Sequence, residues 1–431
     1  MSSVASEMTY IACLFFMLIP TGALSFIDRM IYGEWKGKPG DRLTEALNLL
    51  AIVVSLLLYW WGAQRIRRPR FNRVLPLVAA GLLMISILWS VAPITTATRS
   101  VAYFFLVVGA IGIVELLDSD EVMRLTAIIG GTAAAVSVLL LFVLPDTVMS
   151  EIGLRGLFSQ KNMLGQAMVV GVLAGLHGIR IGGRRRFRHI SIVALCTIVA
   201  FLSKSTTSLL TIFTFFTLHI LGTLYIRGGD RRMISICLSI ILVPAFVLIM
   251  INADFIFDFL EKDETLTGRT ELWPYVIDYI YQRPVLGWGF AAFWIRSNPF
   301  AAEISSMMGW DFYANEAHNG MLQLLLDIGV VGTAFFLFLW VRNFVTAFKC
   351  MNGPTPEIGV SALLFLVGIL LIGISEQVLT TADGATVQFF LLGFMCEKEV
   401  RLARQGPSSV TLRCAGLHLD QLGALRKEDA V

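Results

Sequence analysis

Residues 358–375 read IGVSALLFLVGILLIGIS, a run without a single charge, preceded by Pro356 and Glu357 and followed by Glu376. As a helix it rises about 27 Å, close to the ~30 Å hydrocarbon core of a bilayer. Working outward from this run, eleven more apolar stretches lie near 9–27, 44–63, 74–91, 98–117, 123–144, 161–180, 189–203, 206–226, 233–253, 319–341 and 383–396. The seventh and twelfth in chain order are short. Composition agrees with the pattern: 56% of the 431 residues are hydrophobic and 15% charged, against about 45–50% and about 25% in soluble domains. A soluble globular enzyme and a secreted disulfide scaffold are excluded. No segment alternates with period two over about ten residues, which disfavours a membrane barrel. The sequence therefore predicts an all-α polytopic membrane protein of about twelve transmembrane helices. The stretch 9–27 has no basic flank and no small-residue cleavage site, and reads as a retained span.

Sides follow from the short loops. Arg65, Arg67, Arg68, Arg70 and Arg73 follow the second span; Arg180, Arg184, Arg185, Arg186 and Arg188 follow the sixth; Arg227, Arg231 and Arg232 follow the eighth. With twelve spans all three loops share one side, read as cytoplasmic together with both termini. The 28–43 loop, with Arg29, Lys36, Lys38 and Arg42, is the exception on the outer side. Cys13, Cys196 and Cys237 fall in spans, while Cys350, Cys396 and Cys414 fall on the cytoplasmic side, so no disulfide is expected. The chain divides into helices 1–9 over 1–253, an outer loop over 254–318, helices 10–12 over 319–396, and a polar, partly disordered tail over 397–431. The outer loop holds ten acidic residues against Lys262, Arg269, Arg283 and Arg296, and it is rich in Trp and Tyr. Connections this long are usually functional. Its aromatics fit either an interfacial belt or the apolar faces of sugar rings.

Several chemistries are missing from the sequence. There is no phosphate-binding G-x-x-x-x-G-K-[ST] motif, no H-E-x-x-H and no Cys/His ligand spacing. No metal, no cofactor and no nucleic-acid partner are expected. Asp118-Ser-Asp120 reads as helix-capping chemistry. The positive signal is a set of cations on the side that should lack them. Even-numbered spans start at the outer side, where free N–H groups and the positive dipole end favour anions. Arg99 opens the fourth span, Arg155 and Lys161 flank the start of the sixth, and Lys204 precedes the eighth. Arg269 stands before Pro274, which is tolerated in a first helical turn, so a loop helix is expected to start near Thr270 with Trp273, Val276, Ile277 and Ile280 on one apolar face. Each cation taken alone also fits snorkelling to headgroups. His318 opens the tenth span two residues after Glu316, and either could accept a proton near neutral pH. Glu376 and Asp383, at the outer ends of the last two spans, could pair with the cations, whereas His177 and His219 read as packing residues without an evident partner.

Three stretches, Arg155–Asn162 (RGLFSQKN), Gly268–Trp273 (GRTELW) with Pro284–Gly289 (PVLGWG), and Glu316–Asn319 (EAHN) followed by Gly329, together resemble the O-antigen ligase/polymerase superfamily. The nearest likeness is to exopolysaccharide polymerases of the ExoQ type. Ser203-Lys204-Ser205 and Trp89–Pro93 leading to Arg99 are also similar to the family pattern, although Arg is common where Lys204 stands. The resemblance implies a multi-pass glycosyltransferase of the third (GT-C-like) architecture in the bacterial inner membrane, metal-independent and inverting. Its donor would be an undecaprenyl-diphosphate-linked oligosaccharide, bound at the periplasmic face. Residues matching Arg155 and Arg269 would hold the diphosphate, with Arg99, Lys161 and Lys204 as further cations. His318 would act on the acceptor, with Glu316 as orienting partner or alternative base. A chain-length regulator and a flippase would be its partners in the bilayer. A polymerase joining repeat units is the reading taken; a ligase passing a glycan to a lipid core, and a secondary transporter or lipid flippase, are the alternatives.

Overall fold

The computed structural model describes residues 3–19, 42–65, 71–251, 267–309 and 314–405. The second half of the 9–27 stretch, Arg29, Lys36, Lys38, Arg67, Arg68, Arg70, the acidic run 254–264, Trp310, Asp311, Cys414 and the tail from 406 lie outside the described residues. The helices are α1 (Ser3–Leu18), α2 (Arg42–Arg65), α3 (Val74–Ile85), α4 (Pro93–Leu116), α5 (Ser119–Val143), α6 (Lys161–Ile181), α7 (Arg186–Leu202), α8 (Thr206–Ile226), α9 (Gly229–Ile251), α10 (Thr267–Gln282), α11 (Pro299–Met307), α12 (Gly320–Met351), α13 (Pro356–Gly373) and α14 (Gly384–Arg404). A helix stands on each of the twelve apolar stretches, and among the described residues six of them, α4, α5, α6, α8, α12 and α13, are long and apolar enough to cross a membrane. The only strands among the described residues are β1 (Met149–Ser150) and β2 (Gly153–Leu154), an antiparallel hairpin ahead of α6.

Four of these helices begin at one common end. Asn162 of α6 donates to Glu376 (2.6 Å), Thr207 of α8 meets the Ser375 hydroxyl (2.6 Å), and Asn319, the N-cap of α12, donates to the Ile374 carbonyl (3.3 Å). The 374–383 segment, which leads into α14, ties these heads together. Tyr103 of α4, fully buried, reaches the same segment through its hydroxyl (3.2 Å to the Leu379 carbonyl) and stands edge-on to Phe290, Phe336 and Phe390. The opposite end carries paired charges. Arg73 meets Glu115 (2.5 Å) and Arg401 meets Glu397 (2.7 Å). The buried Lys398 donates to the Val114 and Leu117 carbonyls (2.6 and 2.9 Å), satisfying acceptors that the end of α4 leaves open.

The structure corrects four expectations. The last helix continues past 396 to Arg404 with Glu397, Lys398 and Glu399 buried, so the tail's first turns are packed structure. Arg180 is not a loop residue: it lies in α6, bonded to His219 (2.7 Å), Ser361 and the Glu357 carbonyl. His177 and His219 do have partners, His177 contacting Ser361 (3.0 Å) and Asp120 (3.2 Å). The loop helix starts at Thr267, not near Thr270, which leaves Pro274 inside it, and its buried face is Leu272, Val276, Tyr279 and Ile280 while Ile277 faces outward. Asp118 acts as read from the sequence, closing a capping box with Glu121 at the head of α5.

α12 is not one regular helix. Gly329 sits at φ +63°, a left-handed value inside an apolar run. Such a break frees backbone groups that must find partners. The Pro284–Gly289 segment supplies them: Trp288 and Gly289 N–H donate to the Leu326 and Asp327 carbonyls (2.9 Å each), and Val330 N–H donates to the Pro284 carbonyl (2.8 Å). Side chains are excluded from the contact, since a Cβ on Gly329 would lie 2.3 Å from the Val285 oxygen and one on Gly287 (φ +69°) 2.6 Å from the Asp327 carbonyl carbon. The same segment is stitched to 86–96 by Val91 N–H to the Trp288 carbonyl (3.0 Å), Trp89 Nε1 to the Leu286 carbonyl (2.9 Å) and Phe290 N–H to Ser86 (3.1 Å). The aromatic loop thereby forms its own small core of Tyr279, Trp288 and Phe293 with Leu272, Val276 and Ile304.

Candidate functional site

The site is built on the tied helix heads. His318, immediately before the Asn319 cap of α12, is at φ +49°. A left-handed non-glycine residue is uncommon, and such strain gathers at functional positions. It turns the ring back on its own chain, so that Nδ1 lies 3.3 Å from Oε1 of buried Glu316. Glu376, also buried, brings a carboxylate into the same group: donor atoms of Glu316, His318 and Glu376 all lie within 4.8 Å of one another. Asn162 donates to Glu376 and so joins the first turn of α6 to this cluster. A carboxylate beside an imidazole orients it and stabilises the imidazolium formed when the ring takes up a proton, and the same donor set could hold a cation. Glu376 joins the group from a segment distant in the sequence.

Two members of the cluster, Glu316 and Glu376, line a cavity of about 360 Å³ between α5, α6 and α14. Asn315, Glu316, Glu376, Gln377 and Thr381 form a polar rim. The walls from α5 and α6 are mostly apolar or small, as at Ile129, Ala133, Met163 and Val170, with Thr126 and Gln166 as polar exceptions. A polar head group on a hydrocarbon chain matches that division.

The predicted cations are placed unequally. Arg155 stands just after the β1–β2 hairpin, with its Nε donating to the Thr147 carbonyl (3.3 Å) and its N–H to that of Val148 (2.9 Å). Phe158, three residues on and fully buried, lines the cavity and anchors the RGLFSQKN turn. Lys161 follows the lining residue Gln160 and donates to the Ile152 carbonyl (3.3 Å). Lys204, exposed and at φ +54°, belongs to the turn on which the hairpin rests, because Gly153 packs directly on the Ser203 carbonyl. Arg155, Lys161 and Lys204 are thus carried by adjoining segments at one end of α6. Arg99 is turned elsewhere: it donates to the Ala291 carbonyl and faces buried Asp327 of α12. The Arg269 backbone lies in the first turn of α10, and its side chain is outside the described residues. Asp383 does not act as a counter-ion in this group; its two oxygens accept from Thr386 N–H (2.8 Å) and the Thr381 hydroxyl (2.6 Å), capping α14.

The aromatics offer few open faces. Trp288 is buried and its Nε1 donates to the Tyr279 carbonyl (2.8 Å); Trp273 and Trp294 donate to the Ala317 carbonyl (3.2 Å) and to Gln323 (3.0 Å). They brace the Ala317–His318 turn. Neither a membrane belt nor a sugar platform describes Trp288. Sequence reasoning did not single out Asn162 or the amides Gln160 and Gln377; an amide-rich turn before an apolar helix was the available signal.

Comparison with known proteins follows the same residues. Residues 191–337 match the family described as O-Antigen ligase. The chain is also 26% identical over 360 residues, 77% of its length and 78% of the relative's, to "Exopolysaccharide production protein ExoQ" of Rhizobium meliloti (strain 1021). The family match contains Lys204, Arg269, Glu316 and His318.

Proposed function

We propose that this multi-pass membrane protein, alike in sequence to the O-antigen ligases and ExoQ, is a polysaccharide polymerase. It joins oligosaccharide repeat units carried on undecaprenyl diphosphate, at the outer face of the bacterial inner membrane, with about twelve spans and both termini in the cytoplasm. One observation carries the reading: Glu316 and Glu376, which gather around His318, line a cavity whose other walls are mostly apolar. A reaction between a lipid-borne donor and a polar acceptor needs that boundary.

In this mechanism the prenyl chain lies in the cavity and the diphosphate lies at the rim. His318, oriented by Glu316, takes the proton of the acceptor hydroxyl. The acceptor oxygen attacks the anomeric carbon, the sugar–phosphate bond breaks, and the diphosphate leaves with the bonding pair. Arg155 and Arg269, with Lys161 and Lys204, stabilise that growing negative charge together with the N–H groups at the head of α6. Removing one such donor costs about 10²–10³ in rate, and losing the base about 10²–10⁴. Arg99 serves by holding the 287–291 segment against α12. The donor brings its own leaving group, so no nucleotide takes part.

The test is to express His318→Ala and Arg269→Ala in cells lacking the native copy. High-mass polymer should disappear while lipid-linked repeat units accumulate. Normal polymer from both variants would remove the site assignment. A single added block with no ladder of lengths would move the assignment to a ligase.

A further inference from the structure

A second cavity, of about 330 Å³, opens at the other end of α6. α5 and α6 meet backbone to backbone where a Cβ on Gly130 would lie 2.6 Å from the Gly171 Cα; along α6 the first cavity is lined by residues up to Val170 and the second begins at Ala174. Its lining differs from that of the first. Arg124 of α5 and Arg184 and Arg185 of the α6–α7 turn supply three guanidinium groups. Asp120 and Glu121 are the lining acids; Asp120 is engaged by His177 (3.2 Å) and Glu121 accepts from the Asp118 N–H (3.0 Å). The remaining wall is Ala174, Ile181 and the glycines 178 and 182.

One lining group lacks a protein partner. His189, at 7% exposure, is packed over Gly178, and its Nδ1 has no hydrogen-bond partner among the described residues. A buried imidazole nitrogen left open is costly unless something else meets it. Next in the chain to the lining residues Arg185 and His189, Phe187 and Ile190 on the first turns of α7 are exposed at 80% and 44%, and Ile190 lines a separate apolar groove with Ile179 and Val193. A soluble anion has no use for that flank, whereas a phosphate attached to acyl chains does. Basic pockets between membrane helices are recognised sites for anionic head groups.

We propose that this cavity is a binding site for an anionic phospholipid, its phosphate held by Arg184, Arg185 and Arg124 and its glycerol reaching His189, while the acyl chains pass Phe187 and Ile190. The site is independent of the reacting cluster and does not depend on the polymerase reading.

The test uses the full-length protein purified in detergent and titrated with short-chain phosphatidylglycerol, phosphatidylcholine and inorganic phosphate, with binding followed by the thermal unfolding midpoint. Phosphatidylglycerol should raise the midpoint saturably, and the other two should be at least about tenfold weaker. The exposed pair R184Q/R185Q should weaken phosphatidylglycerol about tenfold or more, since each cation near a lipid surface contributes substantially. R186Q/R188Q removes the same charge from the adjoining first turn of α7, at positions that do not line the cavity, and should stay within about twofold of wild type. Equal loss in both double variants would reduce the effect to a diffuse basic surface and overturn the site. Equal binding of phosphatidylcholine would overturn anion selectivity, and equal binding of inorganic phosphate would overturn the lipid.

Discussion

Replacing Gly329 by alanine tests the joint on which the outer loop hangs. Two costs follow from the geometry. The pair φ +63° and ψ −171° is a region essentially reserved for glycine, and it costs an L-residue about 1–2 kcal/mol. The added Cβ would also sit 2.3–2.5 Å from the Val285 carbonyl and the Leu286 nitrogen. These are backbone atoms, which cannot rotate away, and overpacking of that kind costs about 1–3 kcal/mol. The sum, about 2–5 kcal/mol, is relieved most easily by lifting the Pro284–Gly289 segment off α12. Lifting it breaks the bonds to Leu326, Asp327 and Pro284 and releases Arg283, which is held over the Trp288 ring at 4.2 Å and donates to the Trp89 carbonyl (3.2 Å). Limited chymotrypsin digestion of purified G329A should therefore cut after Leu286 and Trp288 far faster than in wild type, with a melting midpoint lower by several degrees and reduced polymer in cells. Gly81→Ala is the control, since a Cβ there meets nothing within 4 Å. Wild-type digestion and melting in G329A would show that α12 can close its break without the loop, and the account of the PVLGWG segment would be wrong.

Two further outcomes follow from the site. The Tyr279 hydroxyl donates to Glu303 (2.8 Å), and its pKa is pushed up to about 12, first by burial and then by that bond and charge. A raised folded-state pKa means that the contribution is complete below the usual value near 10 and is lost only as pH climbs through 12. Y279F should thus lower the melting midpoint equally at pH 6 and pH 8; a deficit that changes between them contradicts the assignment. Polymer formation by the purified protein should persist in excess EDTA, and loss that added divalent cations restore would instead place an ion among Glu316, His318 and Glu376.

The twelve stretches were legible because hydropathy is a local property, and a helix stands on every one. Glu316 and His318 were legible together because they are two residues apart. Their partner Glu376 was visible only as an acid at a span end, since nothing local records that the 374–383 segment folds back over the heads of α6, α8 and α12. Arg180 was misread for the converse reason. A cation at the end of an apolar run looks like the start of a loop, and only tertiary structure supplies His219 and Ser361 to bury it. The break at Gly329 left no mark in hydropathy, because glycine within an apolar run reads as helix. Its counterpart, the PVLGWG segment, was visible only within the family resemblance, and the need of its glycines to admit another backbone emerged from the packing.

The transporter alternative makes an opposed prediction at His177. A secondary transporter places its coupling groups near the midplane, at interrupted helices that line the substrate cavity. Here the interrupted helix is α12, and its break is filled by the 284–289 segment, not by a cavity. His177 lies near the far end of an unbroken α6, between Asp120 and Ser361, while His219 lines no part of that cavity and is bonded to Arg180. These contacts fasten α5, α6, α8 and α13 to one another, and a network that fastens helices does not need to exchange protons in turnover. Gln keeps a donor and an acceptor at similar reach, so H177Q should leave polymer within about threefold of wild type, the change expected from a lost hydrogen bond or two and far from the 10²–10⁴ of a missing base. A fall to the level of H318A, accompanied by proton uptake into vesicles carrying the wild-type protein, would make His177 a coupling residue and favour transport over transfer.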